Sequence, residues 1–170
     1  MDTFRRLAAT ALLLLASIVP AHATSVLPLD LDQLIDRSTS VIHARAVANR
    51  TERDAATGFV VTYTTFEVAE ALKGRVGSTH TIKQLGGSLP GEEMHFHAMG
   101  IPDFVVGREY VVFLAGVSAI GFSSPIGLFQ GRFTVTTAGD TKRASNGRLD
   151  DLPLTDLKTA IRARLAGVAR

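Results

Sequence analysis

The apolar residues of this chain fall into short runs that are separated by turns containing glycine. The runs are rich in Val, Ile, Phe and Thr, which are residue types that favour strands. The predicted strands are 41–51, 59–72, 79–85, 92–99, 109–114, 120–123 and 128–136. Several strands at short spacing, with few helices between them, predict an all-β fold.

The second run changes the face on which its apolar residues lie. Its apolar positions are Phe59, Val61 and Tyr63 on one parity and Phe66 and Val68 on the other. Because side chains alternate between the two faces of a strand, this switch predicts a bulge or bend near Thr64 and Thr65. A long strand that bends midway suits a small, highly curved antiparallel barrel.

Two helices are predicted at the ends of the domain. Asp30 can cap a short helical turn over residues 31–35. Near the C-terminus, Thr155 is the predicted N-cap of an amphipathic helix, and Asp156 lies in its first turn. The apolar stripe of that helix is Leu157, Ile161, Leu165 and Val168. We expect this stripe to pack on the barrel.

Residues 1–23 have the three parts of a cleavable signal peptide. Arg5 and Arg6 precede an apolar run over residues 7–19, and Ala21-His22-Ala23 offers small residues for cleavage. The run is shorter than the roughly 20 residues that a membrane-spanning helix needs, which disfavours the alternative of an uncleaved anchor. We therefore expect a periplasmic or secreted product, with a single domain over residues 24–170.

The composition excludes several classes of partner. The chain has 18 Lys and Arg residues against 16 Asp and Glu, without a basic cluster, so nucleic acid and anionic membrane surfaces are not expected partners. It has two tyrosines and no tryptophan, which also disfavours a carbohydrate platform. It contains no cysteine, so packing without disulfides must stabilise the exported domain. No cofactor motif occurs, and we expect no cofactor.

Several motifs resemble known families. The sequence Ser38-Thr39-Ser40-Val41-Ile42, then Phe66-Glu67-Val68, then Leu72-Lys73-Gly74 resembles the opening of netrin-module and metalloproteinase-inhibitor-like domains. The combination of Leu72-Lys73-Gly74, Gly86-Gly87, Gly100-Ile101-Pro102-Asp103-Phe104, Gly107-Arg108-Glu109-Tyr110 and Gln130-Gly131-Arg132-Phe133 is similar to a group of exported bacterial domains of uncharacterised function. This second resemblance covers most of the chain after residue 23.

The first resemblance implies an OB-fold-like barrel. The motifs of the second are turn glycines and buried aromatic residues, so they specify a fold and carry no chemistry. The inhibitors use an N-terminal cysteine to chelate the zinc of their target. Here the predicted first residue after cleavage is Thr24, and cysteine is absent. Inhibition by that mechanism is therefore not expected.

The segment around His95 and His97 is the candidate metal site. On an extended strand, Glu93, His95, His97 and Met99 share a face, so the two imidazoles can contact one ion. Methionine with imidazole suits copper, and glutamate with imidazole suits zinc. Two ligands fall short of a stable site, and a metal role therefore predicts that His43 or His80 lies near the same face. The alternative is a solvated strand with two ordinary surface histidines.

Catalytic patterns are weaker. Ser88 lies among glycines, but the spacing is not that of a nucleophile elbow. Glu92-Glu93 and Asp150-Asp151 are adjacent pairs, and neighbouring strand residues face opposite ways, so they do not predict facing carboxylates. The sequence therefore predicts a protein that is not an enzyme.

Because nucleic acid, carbohydrate and catalysis are disfavoured, the remaining prediction is binding of a protein partner, such as another exported protein. If Met94 and Phe96 are exposed, they form an adaptable apolar patch for a partner. The alternative is that these residues pack the end of the barrel. The sequence gives neither the identity of the partner nor the oligomeric state.

Overall fold

The computed structural model describes residues 27–92 and 95–168, and it begins with helix α1 (Leu31–Arg37). The carboxylate of Asp30 accepts a hydrogen bond from the backbone N–H of Gln33 at 2.7 Å, and the Gln33 side chain accepts one from the backbone N–H of Asp30 at 3.1 Å. The two bonds form a capping box, so the predicted helix and its cap are confirmed. The predicted signal peptide lies outside the described residues.

Nine strands follow in the described residues. In chain order they are β1 (Ser40–Arg53), β2 (Val60–Lys73), β3 (Thr79–Leu85), β4 (Gly87–Ser88), β5 (His95–Phe96), β6 (Glu109–Leu114), β7 (Arg132–Ala138), β8 (Thr141–Ser145) and β9 (Leu152–Pro153). Seven form an antiparallel sheet in the order β3-β2-β1-β6-β7-β8-β9, and β4 pairs with β5. Helix α2 (Leu154–Val168) ends the described chain. The prediction of an all-β fold with a C-terminal helix is confirmed.

The described strands do not close into a barrel, so the predicted OB-like barrel is not confirmed. The prediction of a strand over residues 120–123 is wrong. Instead the backbone N–H of Ser118 donates to the carbonyl of Phe122 and the N–H of Gly121 donates to that of Ser118, which makes a tight turn. One backbone hydrogen bond, from Ser123 N–H to the carbonyl of Lys83 at 3.0 Å, joins this segment to the edge of β3.

Both faces of the central strands are covered, as the unbroken apolar run of β6 predicts. One face packs against both helices. The core between them includes buried residues of the sheet and of the helices: Ile35, Val41, Val111, Phe113, Phe133, Leu157 and Ile161. The opposite face has its own core, which includes Ile42, Ala46, Phe66, Ile82, Phe104, Tyr110 and Val112. The sheet is therefore the middle layer of the domain, with apolar side chains on both sides.

Helix α2 differs from its prediction at both ends. It begins at Leu154, so Thr155 lies in the first turn and is not the N-cap. Leu157 and Ile161 are buried and Leu165 is half-buried, but Val168 is 66% exposed. The predicted apolar stripe is confirmed except at Val168, which lies beyond the edge of the sheet core. No helix in the described part of the chain is long and apolar enough to cross a membrane.

Three other strand predictions need correction. The predicted strand 92–99 is reduced to the two residues of β5, while Glu93 and Met94 lie outside the described residues. The start of the predicted strand 128–136 is a short 3₁₀ helix (Leu128–Gly131), and β7 begins only after it. Strands β8 and β9 were not predicted, because β8 is mostly polar and β9 is only two residues long.

Candidate binding cleft

A cleft of about 260 Å³ lies between the ends of β1, β2 and β3 and the segment 86–104. Its floor is formed by polar side chains on one face of the three strands. These floor residues are Asn49, Thr51, Thr62, Thr64 and Gln84. The wall is formed by residues from Gly86 to Phe104, including β4 and β5. Pockets for small ligands usually measure about 300–1,000 Å³, so the cleft is slightly smaller than this range.

A bulge in β1 places the floor residues together. Ala46 pairs with Phe66 and Ala48 pairs with Thr65, so Val47 has no partner in β2. After this bulge Asn49 lies opposite Thr64, and directly paired residues of antiparallel strands share a face. The bend was predicted near Thr64 and Thr65 of the second strand. The irregularity does lie at this level of the sheet, but the extra residue belongs to the first strand.

Some of the floor side chains fix the wall in place. The hydroxyl of Thr62 donates to the carbonyl of Gly86 at 2.7 Å and lies 3.0 Å from the hydroxyl of Thr51. The amide nitrogen of Asn49 donates to the carbonyl of Phe104 at 2.6 Å. The two ends of the wall segment are thus hydrogen-bonded to β1 and β2.

Two other floor side chains have unused hydrogen-bonding capacity. Thr64 is 1% exposed and Gln84 is 4% exposed, and both line the cleft. The Gln84 amide nitrogen has one long contact, to the carbonyl of Pro102 at 3.4 Å. Within the described residues, neither the Thr64 hydroxyl nor the Gln84 amide oxygen forms a hydrogen bond. Both residues line the cleft and neither atom is among the fully buried side-chain atoms without a partner, so these two atoms can bind water or a ligand.

Glycines allow the wall to approach the floor closely. A Cβ added to Gly87 would lie 2.1 Å from the hydroxyl oxygen of Thr62, and one added to Gly86 would lie 2.5 Å from the carbonyl oxygen of Phe96. Both glycines have positive φ, at +130° and +98°. A larger residue at position 87 would therefore push the wall away from the strands, and one at position 86 would push it against the backbone of β5.

An apolar hollow of about 380 Å³ lies beside the cleft and shares part of its wall. The residues lining it are Phe59, Val60, Leu85, Gly86, His95, Phe96, His97 and Ala98. Phe59 is 54% exposed and Leu85 is 39% exposed, whereas Phe96 is half-buried. Apolar side chains of this size seldom lie next to one another at the surface without a function.

The two predicted metal ligands lie together at the rim that the cleft and the hollow share. The ring centroids of His95 and His97 are 6.5 Å apart, and both side chains are exposed. The Ser88 hydroxyl forms a hydrogen bond with Nδ1 of His95, the residue opposite it in the β4–β5 pair. Over residues 27–92 and 95–168, no group of three or more His, Cys, Asp or Glu side chains could hold a metal ion. Metal binding by the two imidazoles stays a prediction.

The other two histidines of the described residues lie elsewhere. His80 is on β3, opposite Phe66, and does not line the cleft. His43 is on the helix-covered face of β1, where its Nε2 lies 2.5 Å from Oε1 of Glu109. Burial lowers the pKa of His43 below its usual value of 6.5, with Lys158 adding to the effect. Neither histidine supplies the third ligand that a metal role predicts near His95 and His97.

Glu109, which contacts His43, is a charged residue that the sequence did not indicate as a site residue. Burial raises its pKa, but hydrogen bonds from Lys142 and His43 outweigh burial, so the pKa of this carboxyl is lowered overall. Lys142 contacts both carboxylate oxygens at 2.8 Å. This cluster links β1, β6 and β8 beneath α2, and its polar groups mostly bind one another.

The arrangement of Ser88 and His95 falls short of a catalytic triad. In a triad a third group orients the histidine, but no carboxylate contacts His95 within the described residues. The acidic pair Asp150-Asp151 binds its own loop, because Asp150 contacts Ser145 and Asp151 contacts Arg143. Both aspartates therefore have an evident structural role.

The sequence predicted the two histidines at the rim of the cleft but not the polar residues of its floor. The parity of β2 that faces the cleft is Val60, Thr62, Thr64 and Phe66, so its middle positions are polar. Polar residues at inward-facing positions of a strand were the available signal. The apolar residues of the other parity dominate the pattern, so the polar positions were not recognised as part of a site. Comparison with protein-family models and with curated proteins gives no match to this chain.

Proposed function

We propose that this chain is an exported, non-enzymatic binding domain whose cleft and hollow engage a partner protein. The observation that carries the proposal is the position of the exposed Phe59 and Leu85 beside two polar groups that line the cleft and form no hydrogen bond within the described residues, the Thr64 hydroxyl and the Gln84 amide oxygen. A protein segment offers both apolar side chains for the hollow and amides for the cleft. Binding it would remove apolar surface from water, which contributes about 25 cal/mol per Å² buried.

Within residues 27–92 and 95–168, Ser88 and His95 lack a third group that completes a catalytic arrangement, which supports binding over catalysis. A serine–imidazole pair without an orienting group lacks the geometry that activates a hydroxyl nucleophile. Export is supported by the signal-peptide pattern of residues 1–23. An OB-like relationship is supported by the sequence resemblance and by the hydrogen bond between Ser123 and Lys83, which joins β3 to the segment after β6.

Site-specific photo-cross-linking tests the proposal. Phe59 is replaced with benzoylphenylalanine, which keeps an aromatic ring in the hollow, and cells that export the protein are irradiated. We expect one discrete cross-linked protein, which is absent when the same probe replaces Thr159, an exposed residue of α2. Equal cross-linking from both positions, or none from Phe59, would count against a partner site at the hollow.

A second candidate function is weak binding of copper or zinc by His95 and His97. The separation of 6.5 Å between their ring centroids favours it, since small rotations would direct both imidazoles to one ion. Calorimetric titration with each metal tests this, using His95→Ala/His97→Ala as the comparison. We expect stoichiometric binding that the double variant loses. Binding that persists unchanged in the double variant would exclude this pair as the site.

A further inference from the structure

We infer that the cleft and the hollow hold an internal, extended segment of a polypeptide. The main-chain amides of this segment would bind Thr64 and Gln84, and one apolar side chain would fill the hollow. The inference rests on the proposed function, because it specifies how the partner protein is held. It is argued from the unused polar atoms of the floor, the charge of the lining, and the surroundings of its deepest aromatic ring.

The polar atoms of the floor match one amide unit. The Gln84 amide oxygen is an acceptor for an N–H, and the Thr64 hydroxyl can donate to a carbonyl oxygen. The two residues lie on neighbouring strands, where Thr64 pairs with Ile82 and Thr62 pairs with Gln84. A peptide group supplies one donor and one acceptor together, so it can bind both atoms in place of water.

The charge of the lining argues for an uncharged, internal segment. The described residues that line the cleft include no Lys or Arg, and Asp103 is the acidic residue among them. A carboxylate or phosphate entering the cleft would lose hydration without gaining a cation. A free C-terminus and acidic side chains are therefore disfavoured, whereas a basic side chain near Asp103 is tolerated.

The aromatic residues argue against a sugar as the occupant. Phe104 is the most buried aromatic ring of the cleft, and it is enclosed by edge-to-face contacts with Phe66 at 4.9 Å and Tyr110 at 5.0 Å between centroids. These neighbours limit its use as a stacking platform. The hollow instead offers aliphatic and aromatic surface from Phe59, Leu85 and Phe96, which suits one apolar side chain.

Selection from a random peptide library tests the inference without knowledge of the partner. Eight-residue peptides are displayed inside a loop of a carrier, so that they have no free terminus, and are selected on the purified exported protein. We expect enrichment of peptides with one Leu, Ile, Phe or Met and depletion of Asp and Glu. A synthetic copy with acetylated and amidated ends should keep its affinity.

Four variants identify the floor contacts. Thr64→Val and Gln84→Met remove the hydrogen-bonding atoms at similar volume, and each should weaken binding of the capped peptide about fivefold, the usual effect of one hydrogen bond. Thr64→Ser should restore binding. Thr65→Val is the matched control, because Thr65 is on the same strand and its hydroxyl contacts Thr81 instead of lining the cleft. Thermal melting checks that every variant is folded.

Two results would overturn the inference. One is the absence of any enriched peptide, and the other is affinity unchanged in both Thr64→Val and Gln84→Met. If either occurs while Phe59 still cross-links a single protein, the partner site stands and only the extended-segment mode fails. If Phe59 also gives no specific cross-link, the proposed function fails with it.

Discussion

Gly87 determines how closely the wall of the cleft approaches its floor. Its φ of +130° is one that L side chains rarely adopt, and a Cβ there would lie 2.1 Å from the Thr62 hydroxyl and 2.8 Å from a methyl of Thr51. Thr62 cannot move aside freely, because its hydroxyl binds the carbonyl of Gly86. One glycine therefore connects the local backbone to the shape of the cleft.

We expect Gly87→Ala to destabilise the domain by strain and by overpacking together. Backbone strain of this kind costs about 1–2 kcal/mol, and overpacking adds about 1–3 kcal/mol. Urea denaturation measures the loss. Gly91→Ala is the control, because its φ is also positive, at +78°, but a Cβ there meets nothing within 4 Å. An equal, small loss in both variants would show that the wall has room to move.

The histidines and the floor residues show how far single residues could be interpreted from the sequence. The spacing of His95 and His97 predicted that they would lie together, and they do, because alternate residues of an extended segment share a face. The roles of Thr64 and Gln84 were not predicted, since a threonine in a strand is ordinary. Only the pairing of β1, β2 and β3 places the two together in one cleft.

Strands β1 and β2 show what the pattern of an element can and cannot predict. The parity switch correctly indicated an irregular pairing beside Thr65. It could not assign the extra residue, because a bulge in either strand changes the register in the same way. With Val47 unpaired, Asn49 and Thr51 face the cleft; without the bulge, Arg50 would take their place. The bulge therefore keeps a positive charge out of the cleft.

Helix α2 should be essential to the stability of the sheet. Ile161 is fully buried against the sheet, and ion pairs to Glu70 from Lys158 and Arg162 lie along the same helix. We expect Ile161→Ala to lower the free energy of unfolding by about 2–5 kcal/mol, because it leaves a cavity between helix and sheet.

Chemical denaturation tests this expectation. Thr159→Ala is the control on the same helix, and an exposed substitution of this kind should change stability by less than about 0.5 kcal/mol. A loss of under about 1 kcal/mol for Ile161→Ala would contradict the packing of α2 described above.

For the molecule as a whole, strand spacing predicted the fold class but not the closure of the sheet. Whether a curved sheet closes depends on what lies at its edges, and residues 118–122 form a turn where a strand was predicted. Apolar residues such as Ile120 favour a strand locally, but the hydrogen bonds of the turn and the glycine at position 121 outweigh that preference.

The surface of the domain carries a second exposed apolar patch, and it competes with the hollow as an interaction site. Val47 is 41% exposed, Val105 is 52% exposed and Val106 is 50% exposed. They are neighbours, because Gly107 donates a backbone hydrogen bond to the carbonyl of Ala46. The three residues of this valine patch line neither the cleft nor the hollow, so we expect them to contribute little to partner binding.

Cross-linking from a panel of positions tests the central claim most directly. The photoreactive residue is placed in turn at Phe59 and Leu85 beside the hollow, at Val106 in the valine patch, and at Thr159 on α2. We predict that Phe59 and Leu85 cross-link the same partner, and that Val106 and Thr159 do not. A partner captured from Val106 but not from Phe59 or Leu85 would contradict the assignment of the cleft and hollow as the binding site.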